Sequence, residues 1–392
     1  MAFSLTKLLL NNRCFLGSLK TINVNCCSSS TYSAWQIDGF SSDLTDSLRL
    51  RDDLLTPTIR SPDEVLISVN GSSVNPLDVI MCKGYGNELL EKIDLLTQCK
   101  APLVSYDRFP LTLGRDFSGT IVAKGSKVDS LEIGDHVWGA IPPYSQGTHG
   151  QYTIAKDSQI SLKPRNLNHD EAASLPYVSL TALAAIQTFG GLNELNCAGK
   201  RILVLGGSGG VGSIAIQILK HWGSYVATTC SSDAIPWIQE LTDVDQAIDY
   251  RSNDLSGFTE SFDYVFDFAK RSDRSSIDQT AYKCLKKSFT SAYVTLTSPL
   301  LQNIDEKGLA LGLTSNLIFA ARDTINGLTE GRTIRWAFYH PSRSGLLTLK
   351  KLVEDEKVKP IVDKKFTFDQ LPQAYLNVQD GHLRGKTVIQ IQ

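Results

Sequence analysis

The chain has 392 residues, 42% of them hydrophobic and 20% charged, with a formal net charge of −2. That length is enough for two domains with real cores, and the near-neutral balance argues against a nucleic-acid partner. Eight cysteines (Cys14, Cys26, Cys27, Cys82, Cys99, Cys197, Cys230 and Cys284) form no C-x-x-C pair, so neither a structural zinc nor a disulfide framework is indicated.

The first 37 residues contain no Asp or Glu and spread Lys7, Arg13 and Lys20 among Leu, Phe and many Ser. Such a basic, acid-poor stretch reads as a mitochondrial transit peptide, assigned to residues 1–34, and predicts a matrix location. Residues 35–174 follow as a β-rich, Gly-punctuated segment. The runs "EVLISVNGSSVNP", "LGRDFSGTIVAKG", "GDHVWGAI" and "GQYTIAKDSQISLKP" predict short strands of a barrel.

Residues 175–340 alternate. A helix over 170–189 precedes strand "RILVL", helix "GVGSIAIQILKHW", strand "YVATT", helix "AIPWIQEL" and strands "AIDY" and "DYVFDF". Helix "IDQTAYKCLKK" and strands "AYVTL" and "IRWAFYH" complete the series. This alternation predicts an α/β fold with a doubly wound parallel sheet of the Rossmann type. The stretch "GLALGLTSNLIFAA" (308–321) is too short and too polar to cross a membrane. It reads as a helix in the core or on a subunit interface, with a membrane-surface helix as the other reading. Residues 341–392 are expected to return to the first domain.

Gly207-x-Gly209-x-x-Gly212 follows a predicted strand and opens a predicted helix, the setting that turns a weak motif into a dinucleotide signature. A turn there needs positive φ, the pyrophosphate needs bare backbone, and the helix must pack close to the strand. Ser208 adds a hydroxyl, and the helix start offers unpaired N–H groups to phosphate. After the second strand the chain reads "TTCSSD". Asp233 comes late and is better placed to cap the next helix. Ser231 and Ser232 leave room for a 2′-phosphate, and Tyr250 and Arg251 add a donor and a charge. NADPH is therefore favoured over NADH.

The segments "SVNPLDVIMCKGYG", "FPLTLGRDFSGTI", "GDHVWGA", "AASLPYVSLTA", "VLGGSGGVG" and "GHLRGKTVI" carry a resemblance to the medium-chain dehydrogenase/reductases. Within them the chain is similar to the zinc-free quinone oxidoreductase branch. "KGYGNELL", "IPPYSQGT", "RWAF" and "GHLRGKTV" look like a mitochondrial, reticulon-interacting group of NADPH oxidoreductases linked to ubiquinone biosynthesis. The resemblance implies a GroES-like barrel for the β-rich domain, a homodimer, and a membrane-protein partner of the reticulon type. It also implies no metal. Zinc-dependent relatives have Gly-His-Glu where this chain has Gly114-Arg115-Asp116, and a Cys near its Asn75-Pro76.

Carried over by motif, Ser208, Gly210 and Val211 would meet the pyrophosphate, and Ser231 and Tyr250 the adenosine phosphate. Leu296, Ala337 and Tyr339 would line the nicotinamide end, and His382, Leu383 and Arg384 would close over the cofactor. Relatives often have Asp-x-x-Gly-Gly where this chain reads Asp267-Phe268-Ala269-Lys270-Arg271. On the substrate side, Asn75 is expected to hold a carbonyl and Asp78 to order it, with a helix cap as the alternative for Asp78. Tyr85 is the candidate proton donor, with Tyr144 and Tyr177 behind it. His136 and His149 read as structural. The expected activity is hydride transfer from NADPH to a small quinone-like or other conjugated carbonyl acceptor. Two other readings stay open: a 2-enoyl thioester reductase, and an NADPH-binding regulatory or scaffold protein.

Overall fold

A computed structural model describes residues 31–97, 108–251, 255–269 and 277–392. The predicted transit peptide lies outside the described residues up to residue 30, as do Cys14, Cys26, Cys27 and Cys99. Strand β1 (Thr31–Ile37) pairs antiparallel with β2 (Leu48–Leu55), which follows the short helix α1 (Leu44–Ser47). Ala34, in the middle of β1, is fully buried. Cutting the chain after residue 34 would leave only half of this strand.

The barrel is built around β3 (Glu64–Val74). Val65, Ile67 and Val69 alternate into its core, as the two-residue period of a strand requires. Helices α2 (Pro76–Met81) and α3 (Asn87–Thr97) follow, then β4 (Leu111–Thr112), which joins β1. The remaining strands are β5 (Asp116–Lys124), β6 (His136–Ala140), β7 (Tyr152–Lys156) and β8 (Ile160–Leu162). β3 pairs antiparallel with β5 and with β7, and the path continues through β6 to β8.

The expected helix over 170–189 is broken. α4 (His169–Ala173) stops at Ser174, and α5 (Pro176–Leu183) restarts with proline at its first turn and ends in a π-helical turn, Ala184–Phe189. Proline has no N–H to give an earlier carbonyl, so it starts a helix rather than continuing one.

The second domain holds six strands: β9 (Arg201–Leu205), β10 (Tyr225–Cys230), β11 (Gln246–Asp249), β12 (Tyr264–Asp267), β13 (Ala292–Thr295) and β14 (Thr333–Trp336). Their order is β11-β10-β9-β12-β13-β14 and every pair is parallel. This is the doubly wound order, and strand direction of travel reverses between β9 and β12, where such sheets bind ligands. Ile202, Leu203 and Val204 are all fully buried because helices cover both faces. Among these helices are α6 (Gly210–His221), α7 (Ile235–Thr242) and α8 (Gln279–Lys283).

Two findings depart from expectation. The helix read at 308–321 is part of a longer one, α9 (Leu300–Glu330), kinked at Gly308. It does not lie in the core, for Leu311, Leu317, Ile318 and Ile325 are exposed. No helix among the described residues is long and apolar enough to cross a membrane.

The tail contains α10 (Arg343–Glu354), β15 (Val362–Thr367), α11 (Leu371–Asp380) and β16 (Lys386–Gln390). β16 inserts between β15 and β3, so the last strand of the chain completes the first domain. Arg343 also reaches Asp157 and Ser130 of that domain.

Candidate active site

The glycine loop joins β9 to α6. Gly206 and Gly207 both donate their N–H groups to Thr229 O of β10, which folds the loop back over the sheet edge. A Cβ on Gly207 would lie 2.0 Å from Thr228 Oγ1, and one on Gly212 would lie 2.3 Å from Gly206 O. Close strand and helix packing therefore requires both glycines. The positive φ expected within the motif falls instead on Gly206, one residue earlier, at 76°. Gly209 differs from its neighbours. Its backbone is extended, and a Cβ there would meet nothing nearer than Gly206 O at 3.4 Å. No side chain caps α6, so none competes with a phosphate for the N–H groups at the helix start.

This loop forms one wall of a cleft of about 620 Å³. Of the residues expected at the cofactor, Ser208, Gly209, Gly210, Val211, Gly212, Tyr250, His382 and Leu383 line it, and Gly207 does not. So do Val74 and Pro76 of the barrel, Val178, Cys230, Phe268, Ala269 and Lys386. The other wall is the tail, where Gly385 pairs with Gly209 as an isolated parallel bridge. A Cβ on Gly385 would lie 2.4 Å from Ile361 O, so the strip can pass between Ile361 and the loop here only as glycine. The Lys270 and Arg271 of the altered loop lie outside the described residues.

At the adenosine end the expected cap is absent. Asp233 does not cap α7, which has no side-chain cap. Its Oδ2 is 2.6 Å from Nη2 of Arg384. Bonds from Ser231 and Arg384 pull the Asp233 carboxyl down to about 2. Both predicted tail and serine residues thus meet at one acid, although neither Ser231 nor Arg384 lines the cavity itself.

The predicted catalytic pair is turned inward. Asn75 is buried, its Nδ2 donating to Asp116 Oδ2 at 2.8 Å and its Oδ1 accepting from Lys386 Nζ at 2.6 Å. At 1% exposure the amide is closed off from the cleft, which it does not line. Asp78 is fully buried and accepts from the N–H groups of Asn75 and Gly114, with Arg115 Nε at 3.5 Å. It acts as the N-terminal box of α2, the alternative its position allowed. Sequence reasoning did not single out the centre of this network. Asp116 accepts from Ser73 Oγ, Asn75 Nδ2 and Lys386 Nζ on one oxygen, and from the Tyr177 N–H at 2.6 Å on the other. The stem of Lys386 lies against Gly210, so one side chain touches both the phosphate loop and the barrel.

Beside this network sits a group of tyrosines. Tyr177 and Tyr339 stack with centroids 4.4 Å apart, and the Tyr339 hydroxyl donates to Ala140 O. Burial, then the Asp78 charge, raises the Tyr177 hydroxyl above its ordinary value, and burial followed by Asp305 raises Tyr85. Both stay protonated at neutral pH. Leu296 and Ala337 stand just beyond β13 and β14, packed on the Rossmann core, and like Tyr339 they do not line the cavity. His149 is fully buried between Tyr375 and Ser73 O, and burial lowers it to about 4, as befits a structural residue.

Comparison with known proteins fits this architecture. The alcohol dehydrogenase GroES-like domain matches residues 61–165, and the zinc-binding dehydrogenase family matches residues 242–389. The chain is 40% identical to the mitochondrial NAD(P)H oxidoreductase RTN4IP1 of Bos taurus, over 95% of this chain and 93% of that one. It belongs to the RTN4IP1 family of medium-chain dehydrogenase/reductases. The mitochondrial reticulon-4-interacting protein 1 of Caenorhabditis elegans is 33% identical over 85% of this chain and 89% of its own. The quinone oxidoreductase of Coxiella burnetii superposes with a TM-score of 0.72 at 26% identity, covering 93% of this chain and all of that one. This RTN4IP1 family member is thus an oxidoreductase by descent.

The zinc in one matched family's name does not fit these residues. Asn75 Oδ1 is occupied by the Lys386 ammonium, and Arg115 brings a second buried cation beside Asp78. Two fixed positive charges would repel a dication, and neither is a zinc ligand. No step of the chemistry is assigned to a metal.

Proposed function

We propose that this protein is an NADPH-dependent, zinc-independent oxidoreductase that passes hydride to a quinone or other conjugated carbonyl acceptor. The observation that carries the reading is the cleft between the glycine loop and the strip 381–386. Ser208 and the helix-start N–H groups of Gly210 and Val211 would hold the pyrophosphate. Asp233 already accepts from Arg384 and Ser231, and the ribose hydroxyls would have to compete with both. A hydroxyl, a guanidinium and the nearby Tyr250 suit a 2′-phosphate instead. Bound there, the reduced nicotinamide supplies the hydride.

The chain's own groups do the rest. Val74, Pro76 and Val178 form an apolar floor that excludes water. The Tyr177–Tyr339 stack lies behind Val178 of that floor and stiffens it, and Tyr177 and Tyr85 stay protonated, a proton source for the reduced oxygen that would reach it through a rearranged side chain or solvent. Asn75, Asp78, Asp116 and Lys386 are positioning residues that hold the barrel, the tail and Tyr177 in place. The acid-free N-terminus and the mitochondrial naming of the relatives support a mitochondrial location; the matrix and a role in ubiquinone metabolism are what the presequence and the family resemblance imply. The name of the nematode relative supports a reticulon-type membrane partner.

The test is titration of the purified full chain with NADPH and NADH, followed by mixing with short-chain quinones while reduced nicotinamide absorbance is recorded. NADPH-selective binding with quinone-dependent oxidation is the expected result. Preference for enoyl thioesters would move the protein to the alternative reductase class. Binding without turnover on either acceptor would leave a regulatory role.

A further inference from the structure

Helix α3 of the barrel domain is finished by a residue of the other domain. The residue before its first turn is Gly86, which has no side chain to offer the N–H groups of the helix start. Asp305 of α9 supplies the missing oxygens. Its Oδ2 accepts from the Gly86 N–H at 2.5 Å and its Oδ1 from the Glu88 N–H at 3.2 Å, across 219 and 217 positions of sequence. A carboxylate at a helix start is favoured by the helix dipole as well as by these bonds. Leu301, one turn earlier on α9, packs at the same place, for a Cβ on Gly86 would lie 3.2 Å from its Cδ1.

The turn that leads into α3 carries Tyr85 between two glycines, Gly84 and Gly86, at φ 90° and 79°. Two such residues make a turn that bends easily, so its contacts set its shape. Within the barrel domain the N–H groups of Gly84, Tyr85 and Asn87 reach Met81 O, Ile80 O and Gly84 O. Those of Gly86 and Glu88 go to Asp305 instead. The arm that brings this acid is firmly based. At Gly308, φ 76°, the chain of α9 turns back on itself. Gly312 then lies against Ile304, and Asn316 bonds with Asn303 and with Leu300 O. The leg of residues 300–307 is thus clamped to the leg behind it and moves with the cofactor domain.

A Ser, Asp or Asn placed locally would cap α3 whatever the two domains did. A cap sent from the cofactor domain holds α3 only while the domains are together. The cleft draws its walls from both domains, the glycine loop from one and Val74 and Pro76 from the other. A dinucleotide that touches both walls therefore favours the closed arrangement. We propose that Asp305 is a positioning residue that couples closure of the domains over the cofactor to the setting of the Tyr85 turn. The acceptor side of the cleft is then ordered only when the cofactor side is filled. The effect on turnover rests on the reductase reading; the coupling itself does not.

Amide-resolved hydrogen exchange of the full chain, with and without NADPH, tests the coupling. In the parent, NADPH should slow exchange at Gly86 and Glu88 at least about fivefold, although neither residue lines the cleft. In Asp305→Ala these amides should exchange about tenfold faster, and NADPH should no longer slow them. Asp305→Asn keeps one acceptor oxygen and should lie between, and it carries the same test if the alanine variant does not fold. By linkage, NADPH should bind Asp305→Ala more weakly by no more than the factor by which it protects the parent's amides. At saturating NADPH and short-chain quinone, single-turnover oxidation should be about tenfold slower in Asp305→Ala. A cap that merely steadied α3 would leave the parent's amides indifferent to NADPH. The inference fails on that result, if NADPH still slows exchange in Asp305→Ala, or if the saturated variant reacts at the parent's rate. A parent whose amides respond to NADPH through Asp305 but which oxidises it with no acceptor would overturn the reductase reading and uphold the coupling.

Discussion

Arg384 Nη2 lies 2.6 Å from Asp233 Oδ2, tying the strip before the last strand to the turn after β10. The pair crosses the mouth of the cleft where an adenosine phosphate would sit, and it is solvent-exposed, so it adds little to stability. In the proposed binding mode it would hold a cation in place for the 2′-phosphate. Arg384→Gln should weaken NADPH binding about 10-fold and NADH binding less than about twofold, with an unchanged melting temperature. Fluorescence titration of both cofactors at two salt concentrations checks this, because the NADPH loss should shrink as salt rises.

The glycines of the loop separate into packing and binding roles. Gly212→Ala forces a methyl to 2.3 Å from Gly206 O and should lower both stability and cofactor affinity. Gly209→Ala meets nothing closer than 3.4 Å and has an ordinary backbone conformation. It should melt within about 2 °C of the parent yet bind dinucleotide at least about tenfold more weakly, since the methyl points where backbone must approach phosphate. Calorimetric melting beside NADPH titration distinguishes the two.

Lys386 and Asp116 form a buried ion pair at 3.3 Å, shared with Asn75. Removing one partner leaves a buried charge alone, so Lys386→Met should cost about 3–5 kcal/mol. Adding Asp116→Asn should recover a large part of that loss. Urea unfolding of the two singles and the double, read as a cycle, measures the coupling.

His149 and His169 are both held near pKa 4, His149 by burial, and His169 by burial and then Lys163. Unfolded, they would titrate at about 6.5. The unfolded chain therefore binds more protons between these values, and stability must fall as pH drops from about 6.5 towards 4. The full contribution is present above the unfolded value. His149→Gln should flatten the slope of urea midpoint against pH between 7 and 5, even if it shifts the midpoint itself.

The sequence revealed what depends on local pattern. "VLGGSGGVG" carries strand, turn and helix start within nine residues, and the alternation around it predicts the six parallel strands in order. The return of the tail was legible because "KTVIQIQ" is a strand with no place in a closed doubly wound series. What was not legible depends on distance along the chain. Lys386 meets Asp116 across 270 positions, and neither residue type announces the other. Asp233 looked like a helix cap because capping is local, whereas its partner Arg384 is 151 residues away. Asn75 was assigned to substrate on chemical type alone. An amide beside a proline suits a carbonyl equally well whether that carbonyl belongs to a ligand or its polar groups are already taken within the fold. The exposure of α9 was hidden for a related reason. Its composition is that of a core helix, and only the packing of Gly312 and Asn316 shows which side faces in.

The place of β16 sets a timetable. The strip 381–385, Lys386 and the strand that closes the barrel all lie within the ten residues from 381 to 390. Neither the roof of the cleft nor the sheet of the first domain can be finished before those ten have left the ribosome. Every earlier stage of synthesis holds a glycine loop without a cover and a barrel with a missing stave. A stop codon at position 381 would therefore remove one wall of the cleft and the Lys386 link between the domains together.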